Sequence, residues 1–442
     1  MEKSVFLLKG NVKSLAPLVI ARGKGESTDI ELLTDKEGRF FIPGTSFKGA
    51  LKHYFEDTFK DKELVSLFFG NHKKESLAFF EDLILKNEHI TSIRDGIKLN
   101  EYMTVEHGGK FDYEILIPDR EFELSLFVKV AEEKDIDKIR SVLKTIIREL
   151  SNENIKIGAF TSKGFGLLKL TDYKLYRFDF PSDMKTYFNY LKSHKLEDVK
   201  LDSLENIQTL EEKAPRVIFE GRFEIKNSLI IRKQDIHEEA DSVQITTNDK
   251  YTITGSSLKG ALRSRALRIA KTLGISEEIV YEVFGSNKDN KKKEEEEKTK
   301  PKRQKARLIV NECYIEKDYV ISEMVHRIKI DRFTGGVIET ALMNSKPIWH
   351  KKETLNIKLE LEDAQEAYIG LILLVLKDLW NEDLALGGEK SIGRGVLKGS
   401  YLKIKTKDGE FEISKENDRL NIKGKEKLEH FVKALKEYKE EL

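Results

Sequence analysis

The chain has 442 residues, enough for two or three domains with sizeable cores. Charged residues make up 35% of it, yet the formal net charge is only +1, so any surface for a polyanion must be local, with the acidic residues placed elsewhere. A single cysteine, Cys313, excludes an internal disulfide framework and a cysteine-based zinc site, and the nine histidines show no H-x-E or HExxH spacing. No apolar run is long enough to span a bilayer and MEKSVFLLKGNV makes a poor signal peptide, so a cytoplasmic protein without membrane contact is expected.

In chain order, SVFLLKGNVKS (4–14) reads as a first strand and is followed by a polar loop carrying Arg22, Lys24, Asp29 and Asp35. Phe40–Ile42 then forms a short strand. A Pro43-Gly44 turn follows, with Thr45 or Ser46 as N-cap and a helix from about Phe47 to Phe59. Residues 94–118 read as a long hairpin around His107-Gly108-Gly109. EFELSLFVKV alternates as a strand, DIDKIRSVLKTIIREL has helical spacing, and IKIGAFTSKGFGLLKL is a glycine-studded turn into a strand.

From Val217 the order repeats. VIFEGRFEIKNSLII is a strand, the next polar loop holds Arg232, Lys233 and Asp241, and YTITGSSLKGALRSRAL is again strand, turn and helix. HRIKIDRFTGGVIETALM is a second hairpin, YIGLILLVLKDLW (368–380) a buried helix, and LALGGEKSIGRG a second glycine turn. Gly44 to Gly164 spans 120 residues and Gly255 to Gly393 spans 138. The difference equals the charge-rich run 288–305, which reads as a disordered insertion. Each copy therefore follows β-α-β-β-α-β order. The expected fold class is α+β, with two tandem ferredoxin-like (RRM-like) domains, each bearing an extended hairpin and a C-terminal glycine-rich turn. The boundaries are 1–171 and 216–405 for the repeats, 172–215 for a helical linker, and 406–442 for a C-terminal extension with an amphipathic helix.

The turn-plus-helix is the repeated element best suited to an anion. Gly44 and Gly255 let a ligand approach the backbone, the helix starts at Ser46 and Ser257 offer N–H groups, and Lys48, Lys52, Lys259, Arg263 and Arg265 add charge. Arg22, Lys24, Arg232 and Lys233 in the preceding loops, and Lys163 and Arg394 in the glycine turns, are further candidates for contacts to a phosphate backbone. Arg332 and Phe333 lie within the second hairpin, where Phe333 reads either as a wedge into a bound ligand or as core.

IPGTSFKGALK and ITGSSLKGALR, with FFGN, VFGS, TSKGFG, EKSIGRG, RDGIKLN and HRIKIDRFTGG, resemble the RAMP superfamily, the CRISPR-associated RNA-binding proteins. HRIKIDRFTGG is similar to the start of the hairpin thumb in backbone subunits of type III effector complexes. The resemblance implies that the chain binds CRISPR guide RNA and a complementary target RNA beside other effector subunits. In such subunits a loop aspartate before the turn motif is needed to cleave the target. Asp29, 14 residues before Pro43, and Asp241, 13 before Thr254, match that position. Each carboxylate would hold a divalent metal, Mg²⁺ or Mn²⁺, with phosphate oxygens completing the shell. Two alternatives stay open: a non-catalytic RNA-binding scaffold or capping subunit, and a metal-independent guide-RNA-processing endonuclease.

Overall fold

A computed structural model describes the chain except for residues 1, 26, 101–103, 197–198, 214–215, 235–239, 287–303, 352–354, 417–418 and 439–442. Of the charge-rich run 288–305, residues 288–303 therefore lie outside the described residues. The chain forms two compact units: Met1–Thr161 with Phe165–Lys213, and Ser162–Gly164 with Ala214–Leu442. No described helix is long and apolar enough to cross a membrane.

In the first unit, β1 (Ser4–Ser14) is the central strand. It pairs antiparallel on one side with β6 (Leu167–Asp179) and on the other with β5 (Glu121–Val130), which carries β2 (Ala78–Phe80) at its far edge. Helix α1 (Gly44–Thr58) connects β1 to β2, and helix α2 (Ile136–Ser151) connects β5 to β6. Between β2 and β5 a hairpin rises, made of β3 (Thr91–Leu99) and β4 (Val105–Leu116). Beyond the paired strands, Asn100 N–H donates to the Thr104 carbonyl at 2.9 Å. His107-Gly108-Gly109, expected at the turn, lies within β4 instead. Gly109 stands where a Cβ would come 2.9 Å from the Lys98 carbonyl, so its role is close strand packing.

Val5, Phe6, Leu7 and Leu8 are all fully buried, which a sheet covered on one face would not produce. Phe6 and Leu8 join the core beneath α1 and α2. Val5 and Leu7 join a smaller core with Tyr176, Phe178 and Tyr190 on the opposite face. Tyr190 belongs to α3 (Met184–Ser193). The segment read as a linker thus covers the back of the sheet. Its continuation is fastened to α2, where Arg140 pairs with Asp202 at 2.9 Å and Lys144 Nζ donates to the carbonyls of Leu204 and Ile207 at 2.8 and 2.7 Å. Sequence periodicity missed this role because the covering residues are spread over a strand end, a helix and an irregular return.

The second unit repeats the plan. β7 (Val217–Ile225) is central, between β11 (Leu355–Leu361) and β12 (Val396–Thr406). β8 (Leu308–Val310) pairs outside β11. Helices α4 (Gly255–Leu273) and α5 (Glu366–Trp380) take the places of α1 and α2, and a hairpin between β8 and β11 carries β9 (Val325–Arg327) and β10 (Met343–Lys346). The C-terminal extension adds β13 (Gly409–Glu416) and β14 (Arg419–Lys423) to the sheet and ends in α6 (Lys425–Lys436). Leu428, Phe431 and Leu435 of α6 are buried against the body, and Tyr438 Oη donates to Glu282 at 2.9 Å. Because α6 covers its outer side, α5 is apolar nearly all round, as its sequence required.

Candidate nucleic-acid interface

The repeated turn-plus-helix starts earlier than its sequence suggests. α1 begins at Gly44 with Pro43 as N-cap, not Thr45 or Ser46, because no side chain caps it and the Gly44 N–H donates to Asp82 Oδ1 at 2.8 Å. In α4, Thr254 is the N-cap and its hydroxyl accepts from Ser257 N–H at 3.3 Å. A Cβ on Gly44 would sit 2.2 Å from the Phe80 carbonyl, and one on Gly255 2.5 Å from the Val310 carbonyl. The glycine is therefore demanded by the approach of the helix start to the edge strand. The first N–H of α1 already faces a carboxylate, which works against a phosphate at that point.

The charged side chains of these helices are engaged inside the protein. Lys48 Nζ donates to the Ala78 carbonyl at 3.4 Å and Lys52 Nζ to the Gly70 carbonyl at 2.8 Å, which explains why FFGN accompanies the motif. Lys259 is 8% exposed and donates to the Leu308 carbonyl at 2.9 Å. Arg263 lies over the Tyr281 ring at 5.6 Å. Arg265 pairs with buried Asp378 at 2.5 Å, where the first unit has Tyr54 Oη donating to Glu149 at 2.6 Å. Arg265 is thus the strut between the two helices of its unit. The expected phosphate-holding platform is, in its side chains, an internal brace.

Burial, aided by the positive charges of Lys163 and Arg263, pushes the Lys259 ammonium down to about 7. The unfolded chain keeps that proton to about pH 10.4, so the stability of the second unit should rise with pH between about 7 and 10. The limiting slope is about 1.4 kcal/mol per pH unit. Urea unfolding of the parent chain and Lys259→Met at pH 7.5 and 9.5 (roughly the ends of that window) should show a steeper rise in the parent, the variant keeping only the smaller rise from lysines such as Lys163.

The polar loops are built differently and lie open. In the first unit Ala21–Gly23 pairs with Glu31–Leu32, which leaves Arg22, Lys24 and Asp29 exposed; Arg22 and Lys24 have no ion pair among the described residues. Asp29 is fixed by a reciprocal pair: its N–H donates to Asp112 Oδ1 at 2.8 Å, and Asp112 N–H donates to Asp29 Oδ2 at 3.1 Å. In the second unit Arg232–Lys233 pairs with Val243–Gln244, and Asp241 Oδ2 accepts from the Asn344 N–H at 2.8 Å. Both aspartates are therefore held by a backbone N–H of the second hairpin strand, in β4 and β10 respectively. Asp112 and Asn344 could not be singled out from sequence, because only the parallel pairing of loop and hairpin brings them there.

The two surroundings differ. Asp112 faces Asp95 across its hairpin, so the first unit gathers carboxylates. Asn344 faces His326, with Asn344 Oδ1 and His326 Nδ1 2.8 Å apart. Among the described residues no three His, Cys, Asp or Glu side chains are placed to hold a metal ion. Asp29 with Asp112 offers two hard carboxylates and Asp241 one, so a divalent ion at either place would need oxygens from a bound phosphodiester.

At the tip of the second hairpin, Asp331 Oδ1 accepts from the N–H groups of Phe333 and Thr334, both at 2.8 Å, and those bonds hold its carboxyl below the usual range. The turn presents Phe333 at 98% exposure, beside exposed Arg332. Phe333 is thus not core. Ile328, Ile330, Val337 and Leu342 on the same hairpin are also more than half exposed. Lys163, in the first glycine turn, groups with the second unit and burial lowers its pKa. Arg394, in the second turn, is 5% exposed and pairs with Glu389 at 2.8 Å.

No curated protein matches the chain. The family model of the RAMP superfamily matches it over residues 11–169 and again over 222–398, one match within each repeat. A chain covered twice by one family, with the same loop, turn, helix and hairpin at corresponding places, belongs to the RAMP superfamily.

Proposed function

We propose that this chain is a guide-RNA-binding backbone subunit of a type III CRISPR effector complex. In this reading two ferredoxin-like domains are fused so that one chain supplies two consecutive positions along the guide. RAMP membership supports a CRISPR-associated, RNA-binding role. The observation that carries the finer reading is the matched placement of Asp29 and Asp241, each exposed and each held by a backbone N–H of its hairpin. Guide and target would lie over the loops and hairpins, with contacts from Arg22, Lys24, Arg232, Lys233 and Arg332. Base pairing, not the protein, would select the target.

Each aspartate would orient one ordered target phosphodiester for attack by its neighbouring 2′-hydroxyl. A divalent ion, Mg²⁺ or Mn²⁺, would neutralise charge developing on the phosphate, with Asp29 and Asp112 holding it in the first unit and Asp241 in the second. Asn344, standing where the first unit has Asp112, favours a second reading for the second unit alone: it holds RNA without cutting it. Metal removal tests the proposal. Target cleavage by the assembled complex should stop on chelation and return with Mg²⁺, and the isolated chain should leave precursor guide RNA intact. Chelator-resistant cutting of precursor RNA by the isolated chain would make it a processing enzyme instead.

A further inference from the structure

The second glycine turn holds a charge cluster that the loop aspartates do not explain. Glu389, whose side chain is 3% exposed, receives three arginines: Arg327 at 2.6 Å, Arg394 at 2.8 Å and Arg232 at 3.3 Å. They come from the hairpin, the glycine turn and the polar loop respectively. One carboxylate cannot satisfy three guanidinium groups, which leaves an excess of two positive charges. Arg394 Nη1 and Arg327 Nε are buried without a hydrogen-bond acceptor among the described residues, and Arg394 Nε and Glu389 Oε2, 2.8 Å apart as an ion pair, are not aligned for a hydrogen bond. Arg394 is 5% exposed and stacks 5.8 Å from the Trp349 ring, so it cannot swing out to find water. Buried N–H groups of charged side chains are costly when unmade. Their persistence here points to an acceptor that arrives from outside.

The corresponding place in the first unit is built differently: one arginine, buried Arg94 of the hairpin, lies 5.2 Å over the Phe165 ring. A Cβ on Gly166 would lie 1.9 Å from the Ile157 carbonyl and one on Gly395 1.8 Å from the Leu386 carbonyl, which aligns the two turns. On that alignment Phe160 stands for Glu389, both with φ near +60° (60° and 56°), and Phe165 stands for Arg394. Phe160 and Phe165 pack with Tyr113 at 5.0 and 6.2 Å, an aromatic cluster in place of an ionic one.

We propose that Arg232, Arg327 and Arg394, aligned by Glu389, form a seat for one phosphodiester group of RNA in the second unit, and that the first unit lacks it. The seat lies on the same small sheet as Asp241: Arg232 pairs with Gln244, Ser242 pairs with Ser345, and Arg327 pairs with Met343, next to Asn344. Glu389 acts as a positioning residue. It draws three guanidinium groups to one point, where the ligand would enter beside Arg232, whose side chain is 55% exposed. The two repeats would then grip RNA unequally, the second by a fixed phosphate and the first through its exposed loop. This inference rests on the RNA-binding reading, and its test separates the two.

The experiment measures the dissociation constant of a labelled, unstructured single-stranded RNA for the full chain over a range of KCl concentrations. Parent, Arg327→Gln, Arg232→Gln/Arg327→Gln and Arg39→Gln are compared, the last removing an arginine of the first unit. Melting with and without inorganic phosphate is recorded for each. A seat predicts that Arg327→Gln weakens binding and lowers the slope of log Kd against log[KCl] by about 0.7, the value for one phosphate contact on a single strand. Arg39→Gln should leave the slope at the parent value. Phosphate should raise the Tm of the parent and not of the double variant. If RNA binds but the slope is unchanged in both cluster variants and phosphate has no effect, the cluster is a structural tie and the seat is overturned. If the parent binds no RNA yet phosphate stabilises it through the same arginines, the anion seat stands and the RNA-binding reading fails.

Discussion

Phe333→Ala should weaken guide-RNA binding by roughly 5- to 150-fold while leaving the stability of the chain within about 0.5 kcal/mol of the parent. The two halves of this expectation have one cause. Phe333 is 98% exposed, so its removal costs the folded state no packing. The turn beneath it is set by Asp331, whose carboxylate collects the N–H groups of Phe333 and Thr334, and by Gly335 at φ +68°. None of these needs the ring. A large aromatic side chain held in water at a rigid tip gains only when a base stacks on it, which is worth about 1–3 kcal/mol per base. Phe333→Trp should retain the affinity and Phe333→Leu should lose most of it, because a leucine keeps the apolar area and not the π-face. Fluorescence anisotropy with labelled guide RNA, alongside a melting curve, reads both quantities. An unchanged Kd for Phe333→Ala would take the hairpin tip out of the RNA path.

The duplication, the strand-helix order and the buried nature of α5 were legible because they depend on local pattern. Period-2 and period-3.6 apolar spacing report which side of an element meets a core, and a motif written twice reports itself. The contacts of the motif lysines were not legible, for the opposite reason. KGALK has the composition of a phosphate-binding helix start, and nothing local says that Lys48 and Lys52 turn back to the carbonyls of Ala78 and Gly70. Lys259 is charged in any composition count, yet it is buried against the Leu308 carbonyl.

The parts of the site that were invisible share one property: each is made by residues distant in the chain. Asp112 meets Asp29 across 83 residues and Asn344 meets Asp241 across 103. Arg327 and Glu389 look like ordinary surface charges until the hairpin and the glycine turn are brought together. That α3 covers the back of the first sheet was not legible, because half-apolar strand ends and short helices read the same whether they bridge two domains or pack on one sheet.

If the two repeats each present one aspartate to the target RNA, single substitutions in the assembled complex should separate the two cuts. Asn is the better replacement than Ala. An amide oxygen in place of Asp29 Oδ2 or Asp241 Oδ2 still accepts the N–H of Asp112 or Asn344, so the loop stays in place and only the charge is lost. Loss of a carboxylate that orients the nucleophile or holds the metal should slow the affected cut by about 10²- to 10⁴-fold. The measurement is the ladder of target-RNA fragments made by complexes carrying Asp29→Asn, Asp241→Asn or both. Each single variant should lose one cut at its own position and keep the other, and the double variant should lose both while still binding the target. A ladder identical to the parent's in the double variant would contradict that expectation.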